Sequence, residues 1–310
     1  SAHLIHPTPK WVQQFHYSQP RHIPYGQISN GTYYLLLATQ VKLSNQGSQV
    51  NYTVAKKIIN NTGLDHNAIV HINYDASLES LAINSVTVLR NGTTINELIN
   101  NPVRIVQRES SLNDNLYDKI KTATIILNDL KVGDIIVYNY TIVKKSLWHK
   151  DTFYKKFMLN YGVPIHQVYA TITTDPHHKL YIKNFNSNIK PIIINSDNNI
   201  KYVWQVKNPQ PITIERNVPI WYNPYARVQV STTKNWADVV KLLMPYFTVP
   251  TQLAPALKPE IDKIKKHSSN KRERVAAALT FVQHNIHYAR VEIGIGNIKP
   301  NPPAQVYQQK

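Results

Sequence analysis

Cysteine is absent from the chain, which excludes disulfides, thiolate metal sites and a cysteine nucleophile within these 310 residues. Glycine is scarce: nine residues leave little for phosphate-cradling loops. The stretch Gly294-Ile295-Gly296-Asn297-Ile298-Lys299 starts like a dinucleotide fingerprint but carries Lys299 where the third glycine belongs. No Gly-x-Ser-x-Gly elbow occurs, so an ordinary serine hydrolase is not indicated. The 18 acidic residues are scattered, and their spacing suggests no general acid and base pair. Long apolar runs are missing as well. The longest, Tyr33 to Ala38, falls far short of the roughly 20 residues a helix needs to cross a bilayer. The opening Ser1-Ala2-His3-Leu4-Ile5-His6 has no basic start followed by an apolar block, so no intact signal peptide is expected. A processed export substrate and a cloned fragment with a Ser-Ala scar would both begin this way.

What is present is a basic, moderately apolar chain. The apolar share of 42 % is enough for real cores, and the length leaves room for about two domains. Thirty-five Lys plus Arg against 18 Asp plus Glu give +17, although charged residues make up only 17 % of the chain. Residues 1–100 carry 6 basic and 4 acidic groups, residues 101–200 carry 13 and 8, and residues 201–310 carry 16 and 6.

Period-two patterning dominates the first two-thirds. Ala68, Val70, Ile72 and Tyr74 alternate with Ile69, His71, Asn73 and Asp75, as a one-faced strand requires. Val168, Ala170 and Ile172 alternate in the same way. Ile135 to Val143 is apolar or aromatic on both faces except at Asn139 and Thr141, which predicts a central strand. Asn91-Gly92 between two β-prone runs predicts a hairpin, and Lys131-Val132-Gly133-Asp134 another turn. The period changes near residue 233. Asn235 is placed to cap a helix, a second helix is expected from about Pro255 to His267, and a third from Asn270. In that third helix Glu273 completes a capping-box pattern, and Val275, Leu279, Val282 and Ile286 form an apolar stripe. A short strand is expected over Tyr288 to Ile293. The expected class is therefore α+β: a mainly-β, sandwich-type domain over residues 1–232 and a helical part over 233–310.

Three histidine pairs are candidate metal ligands: His284 with His287, His177 with His178, and His3 with His6 at a frayed terminus. Each lacks a nearby third ligand of the kind zinc sites use, so they are read as solvated or hydrogen-bonded imidazoles. Seven basic residues between Lys258 and Arg274 are broken by Glu260, Asp262 and Glu273 and carry no interleaved aromatic. They match solvated helix faces better than a nucleic-acid platform, and attraction to an anionic envelope surface explains the charge equally well. Five Asn-x-Thr sequons, at Asn30, Asn51, Asn60, Asn91 and Asn139, are expected by chance in so Asn- and Thr-rich a chain.

Read in order, several segments resemble a known arrangement. They are Asn60 to Asp65, Val70 to Asp75, Lys131 to Tyr140, Trp148, Glu215, Pro219, Ser231 and Trp236. Together they resemble the β-rich domain of unknown function that precedes a transglutaminase-like domain in many bacterial exported proteins. Arg274 to Tyr288 resembles the helix that opens the transglutaminase-like core, and Glu292 to Gly296 with Lys299 to Tyr307 the loop after it. The resemblance runs from about Trp11 to Lys310. It implies a papain-like core, of which this chain would hold the first helices, in a parent acting on amide bonds as peptidase, amidase or acyl transferase.

One departure governs what can be carried over. The family's Gly-Asp-Cys motif would follow next, with its His and Asp later still, but the sequence stops at Gln308-Gln309-Lys310. No catalytic, cofactor-binding or metal-ligating residue is therefore assigned, and no cofactor is expected. The expected role is non-catalytic binding or positioning for that cysteine-dependent core, with a protein or peptide substrate as partner. No specific nucleic acid is expected, and the oligomeric state stays open. The resemblance implies export to the periplasm or cell envelope. The rival reading is an envelope-associated binding or scaffold protein without catalysis.

Overall fold

The structure is a computed structural model that describes residues 2–17, 19–107, 120–144, 152–286 and 301–308. By contacts the chain forms two compact units, the strands up to Lys234 and the helices from Asn235 onward falling in different ones. The expected strand over Tyr288 to Ile293, the Gly294 to Gly296 segment, Trp148 and His287 lie outside the described residues.

In the first unit, β1 (Thr32–Ser44) and β2 (Gly47–Ile58) form the long central hairpin of an eight-stranded sheet. The other strands are β4 (Glu79–Arg90), β5 (Thr93–Asn96), β8 (Ile135–Lys144), β10 (Gln167–Thr174), β12 (Ile192–Asn195) and β13 (Ile200–Lys207). The spatial order is β12-β13-β10-β1-β2-β8-β4-β5. β10 runs parallel to β1, with Thr39 opposite Ala170, and the remaining neighbours are antiparallel. A three-stranded sheet joins β3 (Ile69–Asp75), β6 (Arg104–Gln107) and β7 (Ile120–Ile126), and a second joins β9 (Tyr154–Met158), β11 (Tyr181–Phe185) and β14 (Arg227–Ser231). As the Asn-Gly pair predicts, Asn91 and Gly92 turn β4 into β5 with φ of 50° and 76°, the left-handed pair that matches strand twist.

The two small sheets cover different parts of one face of the large one. Val70, Ile72, Ala123 and Ile125 meet Leu81, Ile83, Val86 and Val88 of β4 and Ile136 of β8. Phe157, Val228 and Val230 meet Val41, Val50, Ile172 and Trp204. Each Val, Leu, Ile or Phe among them contributes about 1.5–3 kcal/mol of transfer free energy when fully buried. Tyr52 belongs to both clusters and stacks on Tyr140 at 4.9 Å. Two lysines share this aromatic layer: Lys155 Nζ donates to Tyr52 Oη at 2.6 Å, and Lys56 Nζ donates to Asn67 Oδ1 at 3.1 Å and faces the Tyr138 ring at 5.3 Å. Burial lowers the pKa of both lysines and pushes the Tyr138 hydroxyl up to about 12.

β10 differs from its expected one-faced pattern. Tyr169 and Thr171 are as buried as Val168, Ala170 and Ile172. The reason is a second cover on the opposite face of the large sheet, where the N-terminal arm lays Phe15, Tyr17, Ile23 and Ile28 against Tyr33, Leu36, Ala38 and Tyr169.

A short helix interrupts the strands, α1 (Asn61–Asn67), unforeseen because seven residues carry too little periodicity. Asn60 Oδ1 caps it by accepting from Gly63 N–H at 3.1 Å. Gly31 (φ 61°) passes so close that a Cβ on Gly63 would sit 2.1 Å from the Gly31 carbonyl oxygen. The Lys131-to-Asp134 turn is built around a carboxylate 1 % exposed: Asp134 accepts from Arg90 Nε at 2.8 Å, Arg90 Nη2 at 2.7 Å and Lys131 N–H at 2.8 Å.

The second unit contains α2 (Trp236–Leu243), α3 (Lys258–His267), α4 (Lys271–Asn285) and α5 (Pro303–Gln308), with 3-10 turns at Met244–Phe247 and Pro255–Leu257. Asn235 caps α2 through the Asp238 N–H, and Asn270 caps α4 through the Arg272 N–H. The capping box needs correction. Glu273 accepts from the Ser268 hydroxyl, and Asn270 N–H donates to that same hydroxyl, so Ser268 relays what the box would do directly. Residues 303–308 are helical where a loop was expected, since Pro303 at the first position presets the helical φ. No side chain of α2 to α5 among the described residues is fully buried, and Val275, Leu279 and Val282 of the α4 stripe are exposed.

Candidate functional site

The N-terminus is not frayed. Leu4 is buried, Ile5 bridges Ile83 in parallel, and His6 N–H donates to the Ile83 carbonyl at 3.1 Å. From there the arm crosses the large sheet held mainly by side-chain amides of the sheet. Asn84 Nδ2 donates to the His6 and Pro7 carbonyls at 3.1 and 3.2 Å. Gln40, 1 % exposed, satisfies both backbone groups of Gln13: its Oε1 accepts from the Gln13 N–H and its Nε2 donates to the Gln13 carbonyl, each at 2.9 Å. Trp11 Nε1 donates to Gln49 Oε1, and Tyr169 Oη to Gln13 Oε1 at 2.8 Å. Phe15 stands edge-on to the Tyr169 ring at 5.1 Å.

The sheet beneath is polar because alternate positions of β2 and β8 are amides and hydroxyls. Asn51 Nδ2 donates to Asn139 Oδ1 at 2.9 Å and Thr141 Oγ1 at 3.0 Å; Asn139 Nδ2 donates to Asn51 Oδ1 at 2.8 Å and Thr53 Oγ1 at 2.7 Å. A network this fully satisfied fixes the side chains it contains. Asn51 and Asn139, two of the five sequons, are buried here and closed to a glycan.

Cavities follow the arm on this face. A neutral section of about 620 Å³ lies between Val12 to Tyr17 and the hydroxyls and amides of Thr53, Ser85, Thr87 and Asn139. A section of about 400 Å³ shares Phe15, His16 and Tyr17 with it and continues past Arg21 and His22 to His166 and Asn208. A third, about 300 Å³, shares His22 and Asn208 with the second and reaches Pro209. The first is an open groove with amide and hydroxyl walls along Val12 to Tyr17; the other two lie further along the arm, the second lined by Arg21 and histidines. Burial raises the pKa of Tyr17 and Tyr169, so both hydroxyls stay protonated, and that of Tyr169 is spent on Gln13.

The histidine pairs go elsewhere. His6 Nε2 contacts the His3 carbonyl, and His284 Nδ1 the Thr280 carbonyl, each a local backbone bond. Asp175 accepts from the His177 N–H at 2.8 Å and pairs with His178 Nδ1 at 2.7 Å. Among the described residues no three His, Asp or Glu side chains gather as metal ligands do. The Lys258-to-Arg274 basic residues sit on α3 and α4, where Lys263 pairs with Glu260 at 2.8 Å and Arg274 Nε donates to the Ser268 carbonyl. Sequence reasoning missed the groove. Its one signal was Asn139 and Thr141, the polar exceptions in an otherwise apolar strand.

An eight-stranded sheet covered by two small sheets and an N-terminal arm defines a β-rich type of domain. The family described as "Domain of Unknown Function with solved-structure structure (DUF3857)" matches residues 44–213, and the chain belongs to it. Among solved structures the chain is similar to a proposed protease from Parabacteroides distasonis at 15 % identity and a TM-score of 0.71, over 91 % of this chain and 56 % of that one. The chain thus spans little more than half the length of that protein, and the likeness is one of fold. Weaker likenesses are to leukotriene A4 hydrolase from Saccharomyces cerevisiae (15 % identity, TM-score 0.34, 69 % of this chain and 32 % of that one) and to an M1 zinc metallopeptidase from Deinococcus radiodurans (10 % identity, TM-score 0.34, 65 % and 42 %). At those scores neither supports an argument. No curated protein matches the chain.

Proposed function

We propose that this chain is a binding and positioning region of a larger transglutaminase-like cysteine protein that acts on amide bonds, and that its groove holds an extended stretch of protein substrate. The observation that carries the reading is the treatment of the arm. Gln40 and Asn84 hold the main chain of residues 6, 7 and 13 through side-chain amides, independent of the side chains those residues carry. A face that seats one irregular chain segment through its backbone is chemically suited to a second segment lying beside it in the neutral section. The likeness to a proposed protease supports a protease-associated role. Cleavage or acyl transfer of the thiol type needs an activated cysteine, and these 310 residues contain none, so the region serves recognition while chemistry lies in the rest of the parent. The helices from Asn235 would then open the papain-like core, and their exposed apolar stripe would be covered within it. Export to the periplasm or cell envelope is part of the same reading, as is an anionic surface attracting the +17 charge.

The test is photo-crosslinking with a neutral hexapeptide of Ala, Gln and Ser carrying one benzophenone. Labels confined to residues 8–17 and 85–94 are expected; labelling scattered over the surface would end the proposal.

A further inference from the structure

β12 ends the eight-stranded sheet, and no strand among the described residues pairs with its outer edge. Its sequence, Ile192-Ile193-Ile194-Asn195, is exposed along its whole length, the three isoleucines at 64, 53 and 52 %. The opposite end of the sheet is different. There β5 reads Thr93-Thr94-Ile95-Asn96, mostly polar, as suits an edge that faces water. Three consecutive β-branched apolar residues are what a strand inside a sheet carries, and a free edge of that kind invites another strand to pair with it. Lys190 and Pro191 precede β12, but no charge or bulge falls within it.

The hairpin with β13 fixes which backbone groups are free. Ser196 N–H donates to the Asn199 carbonyl at 2.9 Å and Asn199 N–H to the Ser196 carbonyl at 3.3 Å, so these two form a hydrogen-bonded pair. Such pairs alternate along an antiparallel ladder. The backbones of Ile192 and Ile194 therefore bond inward to Val203 and Lys201, and the N–H and C=O of Ile193 and Asn195 point outward. Pro191, the next outward position, has no N–H to offer. A second copy of the strand, laid antiparallel about a two-fold axis through Ile194, meets this pattern. Ile193 of each copy then lies opposite Asn195 of the other, and every outward N–H and C=O of those residues finds a partner. Ile194 faces its own counterpart across the axis with Ile192 of the other copy diagonal to it, on the face where Val203 is buried.

We infer that β12 is the contact of an isologous dimer, in which a second copy of this chain adds its own β12 to the edge and continues the sheet across the two-fold axis. The register selects a second copy over an unrelated strand. An identical segment supplies both the donors and acceptors that the edge leaves free and the isoleucines that cover Ile192 and Ile194. Because both partners spend the same edge, and the β5 edge is polar, the assembly closes at two. Four residues a side is small against the roughly 20–30 of a standard interface, so the dimer is weak and forms at high concentration. The excess of 35 basic over 18 acidic residues in each copy opposes it, and added salt should strengthen it.

Since the chain has no cysteine, a single introduced thiol reports the contact. Opposed residues of a non-hydrogen-bonded pair stand about 4.5 Å apart at Cα, within disulfide reach. Ile194→Cys should therefore give a disulfide-linked dimer under mild oxidation. Ile192→Cys is more exposed but would lie about 14 Å from its own counterpart, four residues along the ladder, and should stay unlinked. Sedimentation of the unaltered 310-residue chain should show a monomer–dimer equilibrium that moves toward dimer with concentration and with salt. Ile194→Lys, which brings two ammonium groups together on the axis, should abolish the dimer and leave the melt of the dilute chain unchanged. A chain that stays monomeric at millimolar concentration in high salt would overturn the dimer and leave the edge to a strand of other sequence, such as one from the rest of the parent. Equal linking of the two cysteine variants, a dimer that survives Ile194→Lys, or growth beyond two copies would overturn it as well.

Discussion

Glu97 shows how a single residue sets a pH response. Its carboxylate is 8 % exposed and accepts from Asn101 Nδ2 at 2.7 Å, yet burial outweighs that bond and raises its pKa. A carboxyl whose folded pKa lies above its unfolded value of about 4.3 binds protons more tightly when folded. Its contribution is fully present below that value and is lost as pH rises through the folded pKa. Glu97→Gln keeps an acceptor for Asn101 and removes the charge. The urea midpoint should therefore rise at pH 7, with the gain shrinking toward pH 4; a gain that is constant across that range would contradict the burial argument. Trp204 gives the larger, pH-independent case. Its ring is 1 % exposed and tilted on Phe157 at 5.7 Å, so Trp204→Ala should cost about 3–5 kcal/mol by equilibrium unfolding.

At the scale of elements, α1 depends on its cap Asn60 and on the close approach of Gly63 to Gly31. Asn60→Ala removes the cap and should cost about 1 kcal/mol. Gly63→Ala places a Cβ against the Gly31 carbonyl and should cost at least about 2 kcal/mol, because backbone on both sides has to move. A thermal melt of each variant distinguishes the two, and a neutral Gly63→Ala would show that the approach of Gly31 is not tight. This element also marks how far the sequence could be read. Strands with strong alternation or paired turn residues were legible: Val70 to Tyr74, the Asn91-Gly92 hairpin, the central strand ending at Val143 and the caps at Asn235 and Asn270. What escaped was set by partners distant in sequence. β10 reads as one-faced until the arm covers its other side, and the arm itself has neither period. Gln40 and Gln13 are ordinary polar residues in the sequence; only folding makes one of them the ligand of the other's backbone. The groove was therefore invisible except through the misplaced polarity of Asn139 and Thr141.

For the whole molecule, charge and groove make separate predictions. The excess of 35 basic over 18 acidic residues should give salt-sensitive, sequence-independent binding to anionic vesicles of phosphatidylglycerol, lost as salt is raised and absent on neutral lipid. Binding that survives about 1 M salt, where the screening length is about 3 Å, would mean that something other than charge holds the protein there. The central claim is that the groove beside the arm holds an extended peptide. The most direct measurement is a nuclear magnetic resonance titration of the labelled chain with the neutral hexapeptide, following the backbone amides of Gln13, Phe15, Ser85 and Thr87. Saturable shifts at those four, weakened when Gln40→Leu frees the arm, are the predicted result. Amides that stay unmoved while the peptide is raised to millimolar concentration would contradict it.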